Sequence, residues 1–315
     1  MGLELPKRAR KLVYGTVAGS AVLLLSGCSV DKHSDVKRLA MPIPATKEAH
    51  HMFDLWLWSW LAAIITGVVV WGLIFYVVVR FRRRSETEIP VQTRYNLPIE
   101  IFYTVAPVMM VIVFFFFTVQ TQDDVLHAPK DLAAANAQAD LNVTVVGQKW
   151  SWTFNYTKGS PVIDALPAGE QHGLWDAGTP ATTGPNGGNG PTLWLVKGQS
   201  VSFDLYSADV IHSFWVPTFL FKMDVVPGRQ KLNHFTLTPD RSGTFDGRCA
   251  ELCGVYHSRM LFNVKVTDQA SFDKHMQELK DQGNVGVNLG GTYNRTQVGL
   301  EDSGQSSYEQ DGGAK

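Results

Sequence analysis

The strongest structural signal in the sequence is LWLWSWLAAIITGVVVWGLIFYVVV, residues Leu55–Val79, which carries no charge over 25 positions. A helix of this length crosses the hydrocarbon core of a bilayer. Trp56, Trp58 and Trp60 stand at its start, where the interfacial aromatic residues of membrane proteins lie. A buried helix of a soluble protein is the alternative, but such helices are rarely this long. We therefore predict a transmembrane helix over about residues 55–79.

A second uncharged stretch, Ile101–Gln122, predicts another transmembrane helix, which tolerates its internal Pro107. The loop between the two stretches contains five arginines, namely Arg80, Arg82, Arg83, Arg84 and Arg94. Because loops rich in positive charge stay on the cytoplasmic side of a membrane, both ends of the hairpin should lie outside the cytoplasm. Residues 51–124 therefore form a predicted two-helix transmembrane hairpin.

The N-terminus has the charge pattern of an export signal. Positive charges precede the apolar run Leu12–Leu25, at Lys7, Arg8, Arg10 and Lys11. The run ends in Leu25-Ser26-Gly27-Cys28, which resembles a bacterial lipobox, whose cysteine is lipidated and becomes the mature N-terminus. A short buried helix with a chance cysteine is the alternative. We predict a signal peptide over residues 1–27, a lipid anchor at Cys28 and an extracytoplasmic linker over residues 28–50.

Residues 125–281 have the pattern of an all-β domain outside the cytoplasm. Short apolar runs separated by glycine and proline favour a β-sandwich or barrel. The runs are Leu141–Gly147, Trp150–Tyr156, Leu193–Val196, Val201–Tyr206, Leu232–Leu237 and Leu261–Val266. One helix is predicted near the end of the domain, because Phe272, Met276 and Leu279 are spaced to share a helical face.

Two segments have no periodicity. Residues 159–191 contain eight glycines and five prolines, which predicts a long flexible loop inserted into the β domain. Residues 282–315 are polar and rich in glycine, which predicts a flexible tail.

Composition narrows the classes of function. A net charge of −1 provides no polycationic surface, so we expect no nucleic-acid partner. Three cysteines are too few for a disulfide scaffold. The sequence also has no Cys-x-x-Cys-His, so this chain carries no motif for covalent haem attachment.

Two of the three cysteines belong to a set of potential metal ligands. The set consists of His212, Cys249, Cys253, His257 and Met260. Thiolate, thioether and imidazole ligands suit copper better than magnesium or calcium. A single type 1 copper needs only one thiolate, whereas two thiolates four residues apart can bridge two coppers, each with one histidine and one weak ligand. Zinc bound by two cysteines and two histidines, or a Cys249–Cys253 disulfide, are the alternatives.

The string Cys249-x-Glu-x-Cys-x3-His-x2-Met, following a distant histidine, resembles subunit II of the haem-copper cytochrome c oxidases. Two further segments are similar to family signatures, Lys222–Arg229 and Gly147–Trp152. The second has Lys149 and Ser151 where the family usually has glutamine and tyrosine. The resemblance covers about residues 53–279. It implies a membrane-anchored all-β protein, in which the two-helix hairpin is followed by a cupredoxin-like β-sandwich with a binuclear CuA centre.

The resemblance also implies the role of each ligand. Cys249 and Cys253 would bridge two copper ions, and His212 and His257 would each bind one. Met260 would be the weak ligand of one copper, and the backbone carbonyl of Glu251 that of the other. The Glu251 side chain would reach a magnesium ion shared with subunit I.

Three residues outside the ligand set have counterparts in the family. Trp150 matches a surface tryptophan that receives the electron, although a tryptophan is by default a packing residue or membrane anchor. Glu100 matches a carboxylate at the entrance of a proton channel in subunit I, although the dipole at a helix N-terminus also favours a glutamate there. Asp209 matches an acidic position at which cytochrome c docks, although it is also an ordinary turn residue.

The implied function is electron transfer from cytochrome c through CuA to haem in subunit I, where oxygen is reduced to water and protons are pumped. Implied partners are oxidase subunits I and III, the lipid membrane and a cytochrome c that is soluble or fixed in a bc-type supercomplex. A quinol oxidase subunit would lack the copper ligands. A nitrous oxide reductase would lack the hairpin. A copper-delivery lipoprotein would need neither the hairpin nor the tryptophan-rich strand Trp150–Tyr156.

Overall fold

The computed structural model describes residues 37–89, 92–126, 131–169, 172–177, 191–228 and 232–290. Cys28 and the predicted signal peptide lie outside these residues. The chain divides into two units, Met1–Ile43 and Pro44–Lys315. The described part of the first unit is a turn, in which the Met41 N–H donates a hydrogen bond to the Arg38 carbonyl at 3.0 Å. All the helices and strands described below belong to the second unit.

The two predicted membrane spans are helices. Helix α1 covers Lys47–Arg80 and α2 covers Leu97–Val125. Both are long and apolar enough to cross a membrane, and neither apolar window is buried within the described part of the chain. Each begins several residues before its apolar run. Thr46 caps α1 by accepting a hydrogen bond from the Ala49 N–H, and a proline occupies the first turn of α2. Both features favour a helix, so the residues before each apolar run are helical as well.

The β domain is a sandwich of two five-stranded sheets. The first sheet has the order β3-β2-β1-β5-β8 and the second has the order β4-β10-β9-β6-β7. The strands of the first sheet are β1 Leu141–Gln148, β2 Ser151–Lys158, β3 Leu174–Ala177, β5 Val201–Ser207 and β8 Asn233–Leu237. Those of the second are β4 Thr192–Val196, β6 His212–Val216, β7 Phe221–Val225, β9 Gly243–Cys249 and β10 Leu261–Thr267.

The core lies between the sheets because alternate residues of each strand face inward. In β1, Leu141, Val143 and Val145 are buried, and Trp152, Phe154 and Tyr156 of β2 pack in the same core. Pairing is antiparallel except for β1 with β5 and β4 with β10. Short helix α3, Leu132–Gln138, precedes β1. The predicted terminal helix is α5, Gln269–Asp281, whose Phe272, Met276 and Leu279 are buried as expected.

The predicted flexible loop over residues 159–191 is not a loop throughout. Its described part contains the short helix α4, Pro161–Asp164, and the edge strand β3, which pairs antiparallel with β2. Burial of Ile163 and Leu174 explains this order, because each removes an aliphatic side chain from water. Residues 178–190 lie outside the described residues.

The first residues of the predicted flexible tail pair with the sandwich. Val285 forms a β-bridge with Leu174, and the Asn288 N–H donates a hydrogen bond to Asn155 Oδ1 at 2.7 Å. Residues 283–290 therefore lie along the edge of the first sheet, where backbone and side-chain hydrogen bonds hold them although Val285 and Leu289 remain exposed. Residues 291–315 lie outside the described residues.

The sandwich is attached to the start of helix α1 by a cluster of hydrogen bonds. The Lys47 N–H donates to the Thr238 carbonyl at 2.9 Å, and the Thr238 N–H donates to the carboxylate of Glu48 at 2.9 Å. Glu48 is only 5% exposed. His50 Nε2 also lies 2.8 Å from Asp240 Oδ2. These contacts hold the β domain at the end of the hairpin opposite the arginine-rich loop.

Candidate metal centre

The potential metal ligands come from the adjoining ends of strands β6 and β9 and from the loop that follows β9. His212 is the first residue of β6, and Cys249 is the last residue of β9. The antiparallel pairing of Phe214 with Cys249 brings these two ends together. Cys253 lies in the β9–β10 loop, His257 begins a 3₁₀ turn, and Met260 directly precedes β10. A loop of eleven residues between Cys249 and Leu261 therefore supplies most of the donors.

The sulfur and nitrogen atoms of these residues converge. The two thiol sulfurs are 3.9 Å apart. His212 Nδ1 lies 3.9 Å from Cys249 Sγ, and His257 Nδ1 lies 3.6 Å from Cys253 Sγ. Met260 Sδ is 3.7 Å from Cys253 Sγ. The predicted ligand residues are thus brought together, with one imidazole beside each thiol.

The backbone supplies a sixth donor. The Glu251 carbonyl oxygen lies 3.2 Å from Cys249 Sγ, while the Glu251 side chain is exposed. His212 and Met260 are fully buried, and each cysteine is 5% exposed. His212, Cys249 and Cys253 place their ligand atoms within 4.8 Å of one another. His257 falls outside that set, although its Nδ1 lies 3.6 Å from Cys253 Sγ.

Electrostatics prepares one thiol for ionisation. The hydrogen bond from the Cys253 thiol lowers the pKa of Cys249 to about 3, despite the opposing effect of burial. The same interaction and burial raise the pKa of Cys253. A metal that binds both sulfurs must therefore displace a proton from Cys253, and its positive charge provides the compensation.

The donor set fits a copper pair. Two thiols, two imidazole nitrogens, a thioether and a carbonyl give each half of the site one histidine and one weak donor, shared through two sulfurs. Zinc held by the cysteines and histidines would leave the thioether of Met260 without a role, although it lies 3.7 Å from a ligand sulfur. Cys249 and Cys253 are free thiols in this structure and do not form a disulfide.

Trp150 packs directly on the β9–β10 loop. Its Nε1–H donates a hydrogen bond to the Cys253 carbonyl at 3.2 Å, and its ring centroid lies 4.9 Å from that of Tyr256. A Cβ at Gly254 would lie 3.2 Å from the indole, so glycine permits this close approach. Trp150 is partly exposed and therefore links the protein surface to a residue that bears a ligand sulfur.

Asp209 contacts the predicted ligand His212 rather than extending into solvent. Its Oδ1 lies 2.9 Å from His212 Nε2, and its Oδ2 accepts the Lys149 N–H at 2.7 Å. Burial acts to raise the pKa of Asp209, but hydrogen bonds from His212 and the backbone lower it on balance. Burial likewise acts to lower the pKa of His212, and hydrogen bonds to Asp209 and Cys249 raise it on balance. This contact was not predicted from the sequence, although an acidic residue three positions before a histidine ligand is a signal for it.

Glu100 lies far from the metal ligands, in the first turn of α2. Its Oε1 accepts the Asn96 N–H at 2.8 Å, so the side chain caps the N-terminus of α2. The start of α2 is at the end of the hairpin opposite the sandwich. Cys28 lies outside the described residues.

Comparisons with known proteins agree with this architecture. The family model described as "Cytochrome C oxidase subunit II, periplasmic domain" matches residues 190–267. The chain is similar to a probable cytochrome c oxidase subunit 2 of Streptomyces coelicolor, with 46% identity over 88% of this chain and 89% of the relative. It is also similar to cytochrome c oxidase subunit 2 of Corynebacterium diphtheriae, with 32% identity over 86% and 85% of the two chains.

Among solved structures, the periplasmic domain of cytochrome oxidase subunit II (CoxB) of Bradyrhizobium japonicum is 26% identical. The match between the two structures covers 46% of this chain and 96% of the CoxB domain, with a TM-score of 0.38. The two long apolar helices, the two five-stranded sheets and the match to the family model confirm the predicted fold class, a two-helix hairpin followed by a cupredoxin-like β-sandwich. With a curated relative 46% identical over most of both chains, this chain belongs to the cytochrome c oxidase subunit 2 family.

Proposed function

We propose that this chain receives electrons from cytochrome c at a binuclear CuA centre and passes them to haem in subunit I of a terminal oxidase. There, oxygen is reduced to water and protons are pumped. The observation that carries the proposal is the pair of thiol sulfurs 3.9 Å apart, each with an imidazole nitrogen within 3.9 Å. Membership in the subunit 2 family supports the same function.

In this proposal Cys249 and Cys253 would hold both coppers, and His212 and His257 would hold one each. Met260 Sδ and the Glu251 carbonyl are the weak donors. When bound, the copper pair supplies one-electron redox chemistry. The protein holds the donors in place, because His212 and Cys249 end paired strands and Met260 is anchored by the Trp152 Nε1–H, which donates to its carbonyl at 3.3 Å. Ligands fixed in this way would move little when the copper pair gains or loses an electron.

Trp150 is the proposed site at which the electron is received. It is partly exposed and is hydrogen-bonded to the carbonyl of Cys253, so a donor that contacts the indole would lie one residue from a ligand sulfur. Asp209, which also matches a docking position of the family, is only a quarter exposed. We therefore assign it a docking role secondary to its contact with His212.

The partners follow from the exposed surfaces of the hairpin and the copper loop. The apolar faces of α1 and α2 would pack against subunits I and III and lipid. The exposed Glu251 side chain would contribute to a magnesium site shared with subunit I, and Glu100 would lie at the entrance of a proton channel there. Haem would be present only in partner subunits. The termini and the β domain would lie outside the cytoplasm, with a lipid anchor at Cys28.

Metal analysis with electron paramagnetic resonance on the full, detergent-purified and copper-loaded chain tests the proposal. We expect two coppers per chain and a spectrum of one unpaired electron shared between them. Cys253→Ser should abolish that spectrum, and Cys28→Ser, which alters the cysteine outside the centre, should preserve it. A single copper with a type 1 spectrum, or tightly bound zinc in its place, would refute the binuclear assignment.

The electron donor is proposed to be a cytochrome fixed in a bc-type complex, because a lipid anchor and a long insertion both favour a stable assembly. Deleting all of residues 159–191 would remove β3 and disturb the sheet. Deletion of residues 178–190 alone keeps α4 and β3 and is the sharper test. Weaker co-purification with the bc complex is expected, whereas unchanged co-purification would favour a soluble cytochrome c.

A further inference from the structure

The chain that follows helix α5 connects the edge of the first sheet to the metal centre. We call residues 285–290 the C-terminal strap. Val285 forms a β-bridge with Leu174, and the Gly286 N–H donates a hydrogen bond to the Gly173 carbonyl at 2.9 Å. The strap therefore begins as a short extension of the first sheet beside β3.

A buried asparagine then holds the strap on the outer face of the sheet. Asn155 of β2 is fully buried, although its neighbours Phe154 and Tyr156 are in the core and it must therefore face outward. Its Nδ2–H donates to the Asn288 carbonyl at 3.0 Å, and its Oδ1 accepts the Asn288 N–H at 2.7 Å. These two hydrogen bonds attach the backbone of the strap to β2.

The strap ends against the last residue of β1. The Gly290 N–H donates to Asn288 Oδ1 at 3.0 Å, and Gly290 has a φ of +84°, which glycine adopts without strain. A Cβ at Gly290 would collide with Oε1 of Gln148 and would lie 3.2 Å from the Cβ of Ala208, which follows β5. Gly290 itself therefore lies against both residues, and Gln148 is buried.

The two residues that Gly290 contacts directly precede a hydrogen-bonded pair beside the metal centre. Lys149 follows Gln148, and Asp209 follows Ala208. The Lys149 N–H donates to Asp209 Oδ2 at 2.7 Å, and Asp209 Oδ1 lies 2.9 Å from Nε2 of a predicted copper ligand, the histidine three residues later. Because peptide bonds are rigid, displacement of Gln148 or Ala208 would disturb this pair.

The segment from Gly147 to Trp150 packs on predicted copper ligands at both ends. A Cβ at Gly147 would lie 3.0 Å from Cδ2 of His212, so the backbone of Gly147 lies against the imidazole ring. At the other end, the Trp150 Nε1–H donates to the Cys253 carbonyl at 3.2 Å. The strap contacts the segment between these two ends, through Gln148.

We propose that the C-terminal strap is a positioning element for electron entry. By holding Gln148 and Ala208, it fixes the backbone beside both residues. Asp209 then stays against His212, and the indole of Trp150 stays against the β9–β10 loop. This inference rests on the proposed function, in which Trp150 receives the electron. Surface segments open locally at a low cost in free energy, so a segment that must keep a fixed geometry needs contacts of this kind.

Two truncations in the assembled, copper-loaded oxidase test the strap. Truncation after Asn284 removes it but keeps the hydrogen bond from the Asn284 N–H to the Leu279 carbonyl, 2.9 Å long, which closes the end of α5. Truncation after Gly290 keeps the strap, removes only residues 291–315 and is the matched control. Asn155→Ala is a third variant, which keeps the whole chain but lacks both side-chain hydrogen bonds to the strap.

Loss of the strap should loosen the hydrogen bond of the Lys149 amide. We expect hydrogen exchange at this amide to be at least about tenfold faster after truncation at Asn284 than after truncation at Gly290. Exchange at the Thr238 amide should be equal in the two proteins, because its hydrogen bond to Glu48 does not involve the strap. Asn155→Ala should shift exchange at Lys149 in the same direction by a smaller factor.

Reduction kinetics separate positioning from a merely structural role. Truncation after Asn284 should slow reduction by cytochrome c at least about threefold, less than loss of a direct partner of a ligand, because the strap acts through Gln148 and Ala208. Reduction by dithionite, a small molecule that needs no docking site, should be unaltered, and two coppers per chain should remain. Truncation after Gly290 should be reduced by both reagents as the full chain is.

Equal exchange at Lys149 in the two truncations, or equal slowing of cytochrome c reduction in both, would refute the proposal. Faster exchange at Thr238 as well as Lys149 would also refute it, because the strap would then only stabilise the sandwich as a whole. If cytochrome c does not reduce even the full chain, the proposed function fails, and exchange at Lys149 still decides whether the strap holds this segment. If truncation after Asn284 does not fold, Asn155→Ala decides the question.

Discussion

Asp209 Oδ1 lies 2.9 Å from His212 Nε2, on the side of the imidazole ring opposite the Nδ1 that faces Cys249. The other carboxylate oxygen accepts the Lys149 N–H, one residue before Trp150. Asp209 therefore joins a metal ligand to the segment that carries the exposed tryptophan. A carboxylate on the distal nitrogen of a histidine ligand fixes the orientation of the ring and increases its basicity.

We predict that Asp209→Asn weakens copper binding and changes the copper spectrum. Asparagine keeps the shape of the side chain but removes the charge that holds the His212 N–H. Loss of such a partner typically costs about 10–100-fold in metal affinity or activity. Copper titration and electron paramagnetic resonance would measure the change. Asp224→Asn, an exposed carboxylate of β7, is the control, and equal affinities of the two variants would contradict the prediction.

We predict that Trp150→Phe slows reduction of the copper centre by cytochrome c at least about tenfold, while two coppers per chain remain. Phenylalanine keeps an aromatic ring against Tyr256 but cannot donate to the Cys253 carbonyl. Stopped-flow reduction of the assembled oxidase provides the measurement. Trp175→Phe, which changes a partly exposed tryptophan of β3, should leave the rate unaltered. A normal rate in Trp150→Phe would show that the electron is received elsewhere.

Glu48 should stabilise the junction between helix α1 and the sandwich. In Glu48→Ala the buried Thr238 N–H loses its acceptor, which costs about 1–3 kcal/mol. Faster hydrogen exchange at the Thr238 amide and a lower melting temperature are the expected results. Glu48→Gln retains an acceptor oxygen and should lose less stability, and Glu86→Ala changes an exposed residue and should lose almost none. Unchanged exchange in Glu48→Ala would mean that water replaces the carboxylate.

Gly247 of β9 leaves space for the ring of Phe262. A Cβ at position 247 would lie 2.1 Å from that ring, so Gly247→Ala forces the phenyl group to move. Overpacking of this kind costs about 1–3 kcal/mol. A double-mutant cycle with Phe262→Leu checks the cause, because the smaller side chain should reduce the cost of the alanine. Additive free energies of unfolding would place the strain elsewhere.

Asp268 caps helix α5 by accepting the Ser271 N–H at 2.8 Å. This bond, with that of the Ser271 hydroxyl, lowers the pKa of Asp268 from its ordinary value of 3.8. The carboxylate therefore contributes stability that is fully present above pH 3.8 and is lost as pH falls through the lower folded pKa. Asp268→Asn should reduce this acid sensitivity yet keep a cap, whereas Asp268→Ala should lower the melting temperature at neutral pH. Thermal unfolding between about pH 2 and pH 7 compares the three proteins. Identical pH profiles in wild type and Asp268→Asn would contradict the assignment.

Much of the architecture follows from local patterns in the sequence. The membrane helices were predictable because a long uncharged run needs no knowledge of the rest of the chain, and the terminal helix was predictable from three apolar residues on one face. Strands β6, β7 and β9 were not predicted. Their register depends on pairing with distant segments, and β9 contains Gly243, Gly247 and charged residues that obscure a two-residue period.

The insertion over residues 159–191 shows the same limit of prediction from local sequence patterns. Leu174–Ala177 has no strand pattern of its own, and it becomes a strand because β2 offers it an unpaired edge.

The sequence by itself determined which donor atoms this protein presents, namely those of two cysteines, two histidines and a methionine. Such soft ligands favour copper over magnesium or calcium. Only the tertiary structure decided where those atoms lie. Antiparallel pairing of β6 with β9 brings His212 to within 3.9 Å of Cys249, although 37 residues separate them. The physical reason is that ligand chemistry belongs to single side chains, whereas distances depend on hydrogen bonds between strands far apart in the chain.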